Sequence, residues 1–214
     1  MGDHTATKSY YRIMLGRGSV HADEAYQGNF IGAGWLGDID FSNKFPEDWR
    51  EFNRKFIPIF LKQYPDRTRV AAGLACGALH TIGKGLKIGD IVLSPNGRGS
   101  YYVGEVTTDY EHVAGGVLPH RRGVRWYPDA LERSQMSQAL QNSAGSIGTV
   151  SNVTKYFEEI EALLTGRRPP NIIAIDDTIE DPSVFALEEH LEEFLVKNWP
   201  NTELGKRYDI FEEE

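Results

Sequence analysis

Arginines are concentrated in one part of the sequence, from Arg98 to Arg133. A guanidinium group can bind a phosphate through two parallel hydrogen bonds, so clustered arginines are typical of surfaces that contact nucleic acid. Alternation along the segment HRRGVRW places Arg121 with Arg125 on one face of a strand and Arg122 on the other, and only one of these faces can meet phosphates. The predicted backbone-contacting residues are Arg98, Arg121, Arg122 and Arg125, with Arg17 and Lys155 as weaker candidates.

Trp35 lies in the glycine-rich segment IGAGWLG and is a candidate for either a structural or a binding role. Glycines around a large indole disfavour a helix and let another group approach the backbone closely. Two interpretations remain open. Trp35 either fills the core or forms one wall of a pocket for a nucleotide base.

The spacing of titratable residues indicates no catalytic pair. His80, His112 and His120 could each act with an acid, but no spacing supports such a pair, and His112 and His120 are better explained as polar residues at strand ends. The single cysteine, Cys76, is interpreted as a buried packing residue. No metal-ligand cluster is visible in the sequence, and we expect no cofactor.

Periodicity predicts the elements that position these residues. An alternating first strand is expected at 10–15, and a meander of strands at 91–93, 101–107 and 121–126. Aromatic residues at helical spacing predict a helix that begins near Pro46 and is kinked or ended by Pro58. Further helices are expected at about 69–80, at about 129–140 and from Thr149 or Ser151 to Leu164, whereas 21–30 is predicted to be a polar loop.

The composition is that of an ordinary globular protein with an uneven charge distribution. Residues 1–165 carry 18 basic and 18 acidic side chains, whereas residues 166–214 carry 5 and 13, which accounts for the formal net charge of −8. A neutral body can still present a basic face. The sequence has no long apolar run, no apolar leader and no cysteine pair, so we expect a soluble, cytoplasmic protein with no membrane partner.

The order of motifs resembles a known family. A GD pair before an apolar run, then YYVGEV, DYEH and HRRGVRW, is similar to the second half of PUA-like barrels of the EVE/YTH type, found in modification-dependent restriction proteins. The segments RSQMSQAL and GTVSNVTKYFEEIEALL resemble the helical end of the same family. The resemblance covers about residues 10–165 and implies an α+β fold, a curled antiparallel β-barrel flanked by helices. The insert HADEAYQGNF departs from the family pattern at the rim of the pocket.

In that family a base is flipped into an aromatic pocket, and the resemblance implies where the pocket lies. Trp35 with Phe30 or Tyr102 is expected to sandwich the base, and Asp38 or Asn96 to bond its Watson–Crick edge. The Ser19 hydroxyl or nearby N–H groups are expected to hold a carbonyl oxygen or a phosphate. The predicted pocket thus comprises Ser19, Phe30, Trp35, Asp38, Asn96 and Tyr102.

The last part of the chain has a different pattern. Residues 166–183 are interpreted as a linker, and 184–214 contain an amphipathic helix with a Glu-rich face. The segment resembles the start of the nuclease domain of NucS-type endonucleases, with a PD-(D/E)xK core. The Asp and Glu-x-Lys that would hold Mg²⁺ do not follow Ile210, so we interpret this chain as the shortened form of a restriction nuclease, not itself an enzyme.

The resulting hypothesis is a DNA-binding specificity domain, residues 1–165, that recognises a modified base in double-stranded DNA. Homodimerisation through the nuclease-like segment is possible in this interpretation. Two alternatives stay open: an RNA reader of the PUA/YTH type, and a module that binds a ligand or protein and gates a downstream nuclease. The sequence does not identify the modification.

Overall fold

The computed structural model describes residues 8–146 and 148–166, which all fall within one compact unit, Met1–Ile173. Apart from Gly166, the predicted linker 166–183 and the nuclease-like segment 184–214 lie outside the described residues.

A seven-stranded mixed sheet organises the fold, with strand order β2-β5-β4-β3-β1-β7 and β6 paired to β4. The parallel pair is β1 with β3, and the other pairs are antiparallel. The strands are β1 Tyr10–Ile13, β2 Phe30–Ala33, β3 Ile91–Pro95, β4 Ser100–His112, β5 His120–Trp126, β6 Leu131–Glu132 and β7 Val150–Asn152.

Helices cover both faces of this sheet. They are α1 Ala22–Gln27, α2 Trp49–Gln63, α3 Arg69–His80, α4 Gln138–Ala144 and α5 Phe157–Leu164. One core cluster lies between the sheet and α1, α2 and α3, and includes Phe52, Phe56 and Phe60. The second cluster lies on the opposite face with α4 and α5, around Leu93, Val103 and Leu140. Strand alternation divides the apolar residues between these two cores.

The predicted meander is confirmed, because β3 pairs with β4 and β4 pairs with β5. The predicted curled antiparallel barrel is wrong: β1 and β3 pair in parallel, and within the described residues the edge strands β2 and β7 do not pair with each other, so the sheet stays open. The α+β class and the flanking helices are confirmed. Both faces of this open sheet carry apolar residues, and helices cover each face, so two separate cores form.

The predictions for the helices need several corrections. Asp48 caps α2 by accepting a hydrogen bond from the Arg50 N–H at 2.9 Å, so Pro46 lies before the helix. Pro58 does not end α2, which runs on to Gln63. Because Arg54 and Pro58 are both exposed, water can satisfy the Arg54 carbonyl that proline leaves without its helical donor.

Two other segments also differ from the predicted pattern. The predicted loop at 21–30 contains α1. In place of the predicted helix at 129–140, the chain forms β6, a 3₁₀ turn Arg133–Gln135 and then the helix α4. The last predicted helix begins later than expected, because residues 150–152 form β7 and α5 begins at Phe157. Short segments are decided by their tertiary neighbours more than by propensity. The predicted end of α5 at Leu164 is confirmed, and Gly166 follows with a positive φ of 66°, a conformation that commonly terminates helices.

Candidate functional site

Three segments meet at the end of the sheet where β3 turns into β4. The first is the 3₁₀ turn Arg17–Ser19, the second is α1, and the third is the β3–β4 turn at 96–99. A Cβ added to Gly97 would lie 3.5 Å from the Gly18 carbonyl oxygen and 3.9 Å from the Ser19 Cβ, so the two turns are in contact. We call this region the hairpin-end surface and define it by eight residues: Arg17, Ser19, Asp23, Tyr26, Asn96, Arg98, Tyr102 and Trp126.

An ion pair with a tyrosine organises this surface. The Arg98 guanidinium donates to both carboxylate oxygens of Asp23 at 2.8 Å. The Tyr102 hydroxyl accepts from Arg98 at 2.7 Å and donates to Asp23 at 2.6 Å. Hydrogen bonds from Arg98 and then from Tyr102 hold the pKa of Asp23 well below its usual range, and the bond to Asp23 raises the pKa of Tyr102. Asp23 and Arg98 are about half exposed, so solvent screens the pair and a competing anion can open it.

An aromatic cluster lies beside the ion pair. Tyr26 and Tyr102 stack with ring centroids 4.2 Å apart at 26°, and Trp126 lies 5.9 Å from Tyr26 and 6.2 Å from Tyr102. The indole N–H donates to the Ala25 carbonyl at 3.3 Å, which fixes the ring against α1. All three rings are half-buried. Each of these residues therefore keeps part of its surface exposed to solvent while it packs against its neighbours.

Backbone geometry also sets this end of the sheet apart. Ser19 adopts a φ of 64°, in the left-handed region that a serine rarely occupies. Its hydroxyl points toward the Met14 sulfur at 3.2 Å. The Asn96 Oδ1 accepts from the Arg98 N–H at 2.9 Å and the Ser100 N–H at 3.3 Å, which holds the β3–β4 turn. Ser19 and Asn96 thus shape the two turns, and both are nearly buried.

The structure brings together only part of the predicted pocket. Ser19, Asn96 and Tyr102 meet here, as do Arg17 and Arg98 of the predicted basic residues. Trp35 lies elsewhere. It follows β2, whose last residue, Ala33, pairs with His120 at one end of β5. Tyr102 lies on β4 two residues before Gly104, which pairs with Trp126 at the other end of β5. Six residues of β5 separate these two positions, roughly 20 Å at the usual strand rise. The predicted sandwich of Trp35 with Tyr102 is therefore wrong.

Trp35 and its neighbours form a separate region, which we call the Trp35 turn, residues 34–39. The Trp35 ring packs 5.5 Å from Phe60 and 5.7 Å from Tyr64, with Arg67 over its face at 5.8 Å. Asp38 is exposed on this turn. The indole is half-buried and packed against the core, which agrees with the interpretation of Trp35 as a core residue.

Phe30 lies in neither of these regions. It is 6% exposed, with the Arg121 guanidinium 3.8 Å above its ring. A base cannot reach that ring while Arg121 covers it. The predicted role of Phe30 in the sandwich is therefore wrong as well.

Two histidines hold the Trp35 turn to the sheet. His112 Nε2 lies 2.7 Å from the Gly37 carbonyl oxygen, and His120 Nε2 lies 3.2 Å from that of Leu36. A carbonyl only accepts, so each Nε2 carries a proton. The Tyr110 hydroxyl then donates to His120 Nδ1 at 2.8 Å. Burial lowers the pKa of His120 to about 4, so this imidazole is neutral near pH 7.

The arginines of HRRGVRW have separate roles. Arg122 is 2% exposed and donates to the carbonyls of Thr108, Leu86 and Ile82, so its predicted contact with phosphate is wrong. Arg121 donates to the carbonyls of Leu118 and Val117. Arg125 is exposed and lies 3.2 Å from Glu105.

Lys155 is the remaining predicted basic residue. It is exposed in the 3₁₀ turn Thr154–Tyr156, beside the start of β1, where the Tyr10 N–H donates to the Thr154 hydroxyl. The hairpin-end surface follows the other end of β1, so Lys155 does not belong to it. Only Arg17 and Arg98 of the predicted basic residues do.

Three members of the hairpin-end surface were missed from the sequence: Asp23, Tyr26 and Trp126. Trp126 could have been found, because it alternates with Arg122 and Val124 on one face of β5. Asp23 and Tyr26 lie in α1, whose helix-forming run ADEAYQ was interpreted as a loop. Reading the insert as a helix would have placed both side chains on a defined element.

Two small cavities lie in the described part of the chain. Within the described residues, no group of three or more His, Cys, Asp or Glu side chains could hold a metal ion. One cavity of about 220 Å³ lies between α2 and α3 and contains none of the predicted site residues. The other, also about 220 Å³, adjoins the β3–β4 turn. No helix of the described part is long and apolar enough to cross a membrane.

Residues 11–154 match a protein family described as a domain of unknown function (DUF8426). The chain belongs to the DUF8426 family. The match spans β1 to the turn after β7, so this DUF8426 domain contains the hairpin-end surface and the Trp35 turn together.

Among solved structures, the DUF8426 domain is similar to the YTH domain of the Zygosaccharomyces rouxii MRB1 protein, crystallised in complex with N6-methyladenosine RNA. The TM-score is 0.31 and the sequence identity is 13%, over 64% of this chain and 68% of that chain. No match was found among curated proteins.

Proposed function

We propose that this DUF8426 domain is a nucleic-acid reader that recognises a modified base at the hairpin-end surface. The observation that carries the proposal is the aromatic cluster of Tyr26, Tyr102 and Trp126, fixed in position yet half-exposed beside Arg98. Aromatic rings are the usual platform for an unstacked base, because every base has a π face. Tyr26 and Tyr102 already stack, so a base adds to an accessible ring face and does not enter between them.

The charges at the same surface suit a phosphate backbone. Arg17 is exposed in the turn that contacts the β3–β4 turn, and Arg98 is held by an exposed ion pair that a phosphate can displace. Stacking contributes about 1–3 kcal/mol per base, similar to the few kcal/mol that flipping costs, so phosphate contacts must supply the remaining affinity. The motif resemblance to EVE-type domains supports a modified base as the ligand. The nuclease-like sequence at 184–214 supports double-stranded DNA over RNA, and a specificity role in a modification-dependent restriction endonuclease.

Fluorescence anisotropy with labelled duplexes tests this proposal. Each duplex carries one modified base: methylcytosine, hydroxymethylcytosine, a glucosylated base or methyladenine, with unmodified DNA and matched RNA as competitors. We expect one modified duplex to bind more tightly than its unmodified counterpart. Trp126→Ala and Tyr102→Ala should each weaken that binding by about 5- to 100-fold, as the loss of one stacking contact requires.

Trp49→Ala is the matched control, because Trp49 is an exposed tryptophan on α2, outside the hairpin-end surface. It should leave the affinity unchanged. Equal affinities for all duplexes would contradict base reading. Tighter binding of the RNA would replace DNA with RNA as the ligand, and preference retained in Trp126→Ala and Tyr102→Ala would move the site elsewhere.

A further inference from the structure

The cavity beside the β3–β4 turn lies on the sheet face opposite the hairpin-end surface. Tyr101, on the face opposite Tyr102, forms part of its wall, and the end of β1 and the end of α4 close it. None of its lining residues is acidic. We call it the Arg133 pocket, and its lining includes Met14, Gly97, Gly99, Tyr101, Arg133 and Gly145.

Arg133 provides the charge of this pocket. Its guanidinium donates to the Tyr101 hydroxyl at 2.9 Å, a neutral partner. Within residues 8–146 and 148–166, no carboxylate lies within 4 Å of it. A Cβ added to Gly145 would lie 3.3 and 3.4 Å from the two terminal guanidinium nitrogens, so the glycine leaves room for Arg133 against the wall. The positive charge therefore faces the cavity without a counterion from the described chain.

A second guanidinium lies behind the wall. Arg12 is fully buried, and its partners are neutral oxygens: the carbonyls of Ser146 and Gly148 and the hydroxyl of Ser151. Its Nε has no hydrogen-bond partner among the described residues. Met14, two residues further along the chain and just past the end of β1, lines the pocket, and Gly145, next to the Arg12 partner Ser146, lines it as well. A buried charge without a carboxylate is weakly screened, so Arg12 makes the potential in the pocket more positive.

Backbone shape adds to the preference for an anion. Gly97 and Gly99 adopt positive φ values of 76° and 90°, and both line the pocket. Glycines in such turns leave the backbone N–H groups open to a ligand, an arrangement that recurs in phosphate sites. The volume of about 220 Å³ lies below the roughly 300–1,000 Å³ of pockets for drug-sized ligands, so the pocket suits one small group.

We propose that the Arg133 pocket binds a phosphate group through the Arg133 guanidinium and the backbone of Gly97 and Gly99 in the β3–β4 turn. The buried Arg12 guanidinium adds positive potential. This inference goes beyond base reading and does not depend on it. The same chemistry fits a free phosphate or the phosphate of a nucleotide, so the experiment includes both.

Calorimetric titration of the full chain at low ionic strength compares inorganic phosphate, cytidine monophosphate and cytidine. We expect phosphate to bind and cytidine not to bind at this pocket. Arg133→Gln should weaken phosphate binding by about tenfold or more, as loss of a charge-assisted contact predicts, whereas Arg133→Lys should retain most of it. Arg54→Gln, the same charge change at an exposed arginine on α2, is the matched control and should have no effect.

Amide chemical-shift mapping of the wild-type chain provides a second measurement that needs no variant. Phosphate should shift the amide signals of Gly97, Gly99 and Gly145 most. Phosphate binding without cytidine monophosphate binding supports a free anion, and binding of both supports a nucleotide. No phosphate binding, unchanged binding in Arg133→Gln, or shifts centred on α2 would overturn the proposal. Phosphate binding together with equal affinity for all duplexes would refute base reading but retain this pocket.

Discussion

The hairpin-end surface and the Trp35 turn contain similar residue types, yet they differ in how the polar groups are used. At the hairpin-end surface, Arg98, Asp23 and Tyr102 bond to one another near solvent. At the Trp35 turn, His112 and His120 donate to backbone carbonyls and fix the turn to the sheet. Exposed side-chain pairs can be exchanged for a ligand, whereas buried bonds to the backbone maintain the fold. Both indoles are half-buried and pack against the same core, but Trp126 lies beside the exposed ion pair of Arg98, whereas Trp35 lies in the turn that the two histidines hold.

The largest difference is expected between two arginines. Arg122→Met removes the donors for the carbonyls of Thr108 and Leu86 in a buried site, so it should lower the free energy of unfolding by about 3 kcal/mol or more. Arg98→Met removes an exposed ion pair and should leave the melting temperature nearly unchanged. Urea denaturation of both variants measures the contrast. Equal losses of stability would show that the hairpin-end surface is structural too.

A second contrast concerns pH. The folded pKa of His120, about 4, lies below its ordinary 6.5, so the unfolded chain takes up this proton first as the pH falls. The stability that the neutral His120 imidazole contributes is fully present above about pH 6.5 and declines toward pH 4, by on the order of 3 kcal/mol. As the pH falls from 6.5 to 4, wild type loses this stability and His120→Gln does not. The difference in the free energy of unfolding between the two proteins, measured by denaturant melts at each pH, should therefore become smaller as the pH falls. His21→Gln makes the same side-chain change at a half-exposed position next to α1 and is the matched control.

The two tryptophans provide the third contrast. Trp35→Ala removes a half-buried ring from Phe60 and Tyr64 and should lower the free energy of unfolding by about 2 kcal/mol, less than a fully buried ring. At a temperature where the variant stays folded, its nucleic-acid affinity should equal that of wild type. Trp126→Ala should show the opposite balance, with a larger loss of affinity than of stability. Anisotropy and thermal melting of both variants check this. Loss of base preference in Trp35→Ala would restore the predicted role of Trp35 in the pocket.

The smallest expected effect tests the availability of Arg98. Asp23→Asn weakens the hold on Arg98, so the affinity for duplex DNA should rise a few-fold, and the slope of log affinity against log salt should steepen by about one contact. Glu24→Gln makes the same charge change on α1, at a residue paired with His21, and is the matched control. An equal gain in both variants would show a general charge effect and argue against release of Arg98.

The local pattern of the sequence was sufficient for the central strands. Alternation placed the strands of the meander, and helical spacing placed Phe52, Phe56 and Phe60 on the buried face of α2. Both follow from the fixed periods of strand and helix, which depend on neighbours along the chain. The same alternation separated Arg122 from Arg121 and Arg125, although it could not say which set faces inward.

Only the tertiary structure decided which predicted site residues meet. Ser19, Asn96 and Tyr102 come together because the turn after β1 contacts the β3–β4 turn, an encounter between segments about 80 residues apart that no local period encodes. Trp35 and Tyr102 are separated by the register of β5 against β2 and β4, which depends on a β-bulge between Val106 and Tyr110 and on the whole sheet. The sequence alone identified Arg17, Ser19, Asn96, Arg98 and Tyr102 as candidate residues and missed Asp23, Tyr26 and Trp126. Long-range pairing decided where the candidate residues lie. A curled barrel was expected to bring Trp35 and Tyr102 together, whereas the open sheet keeps them apart along its strands.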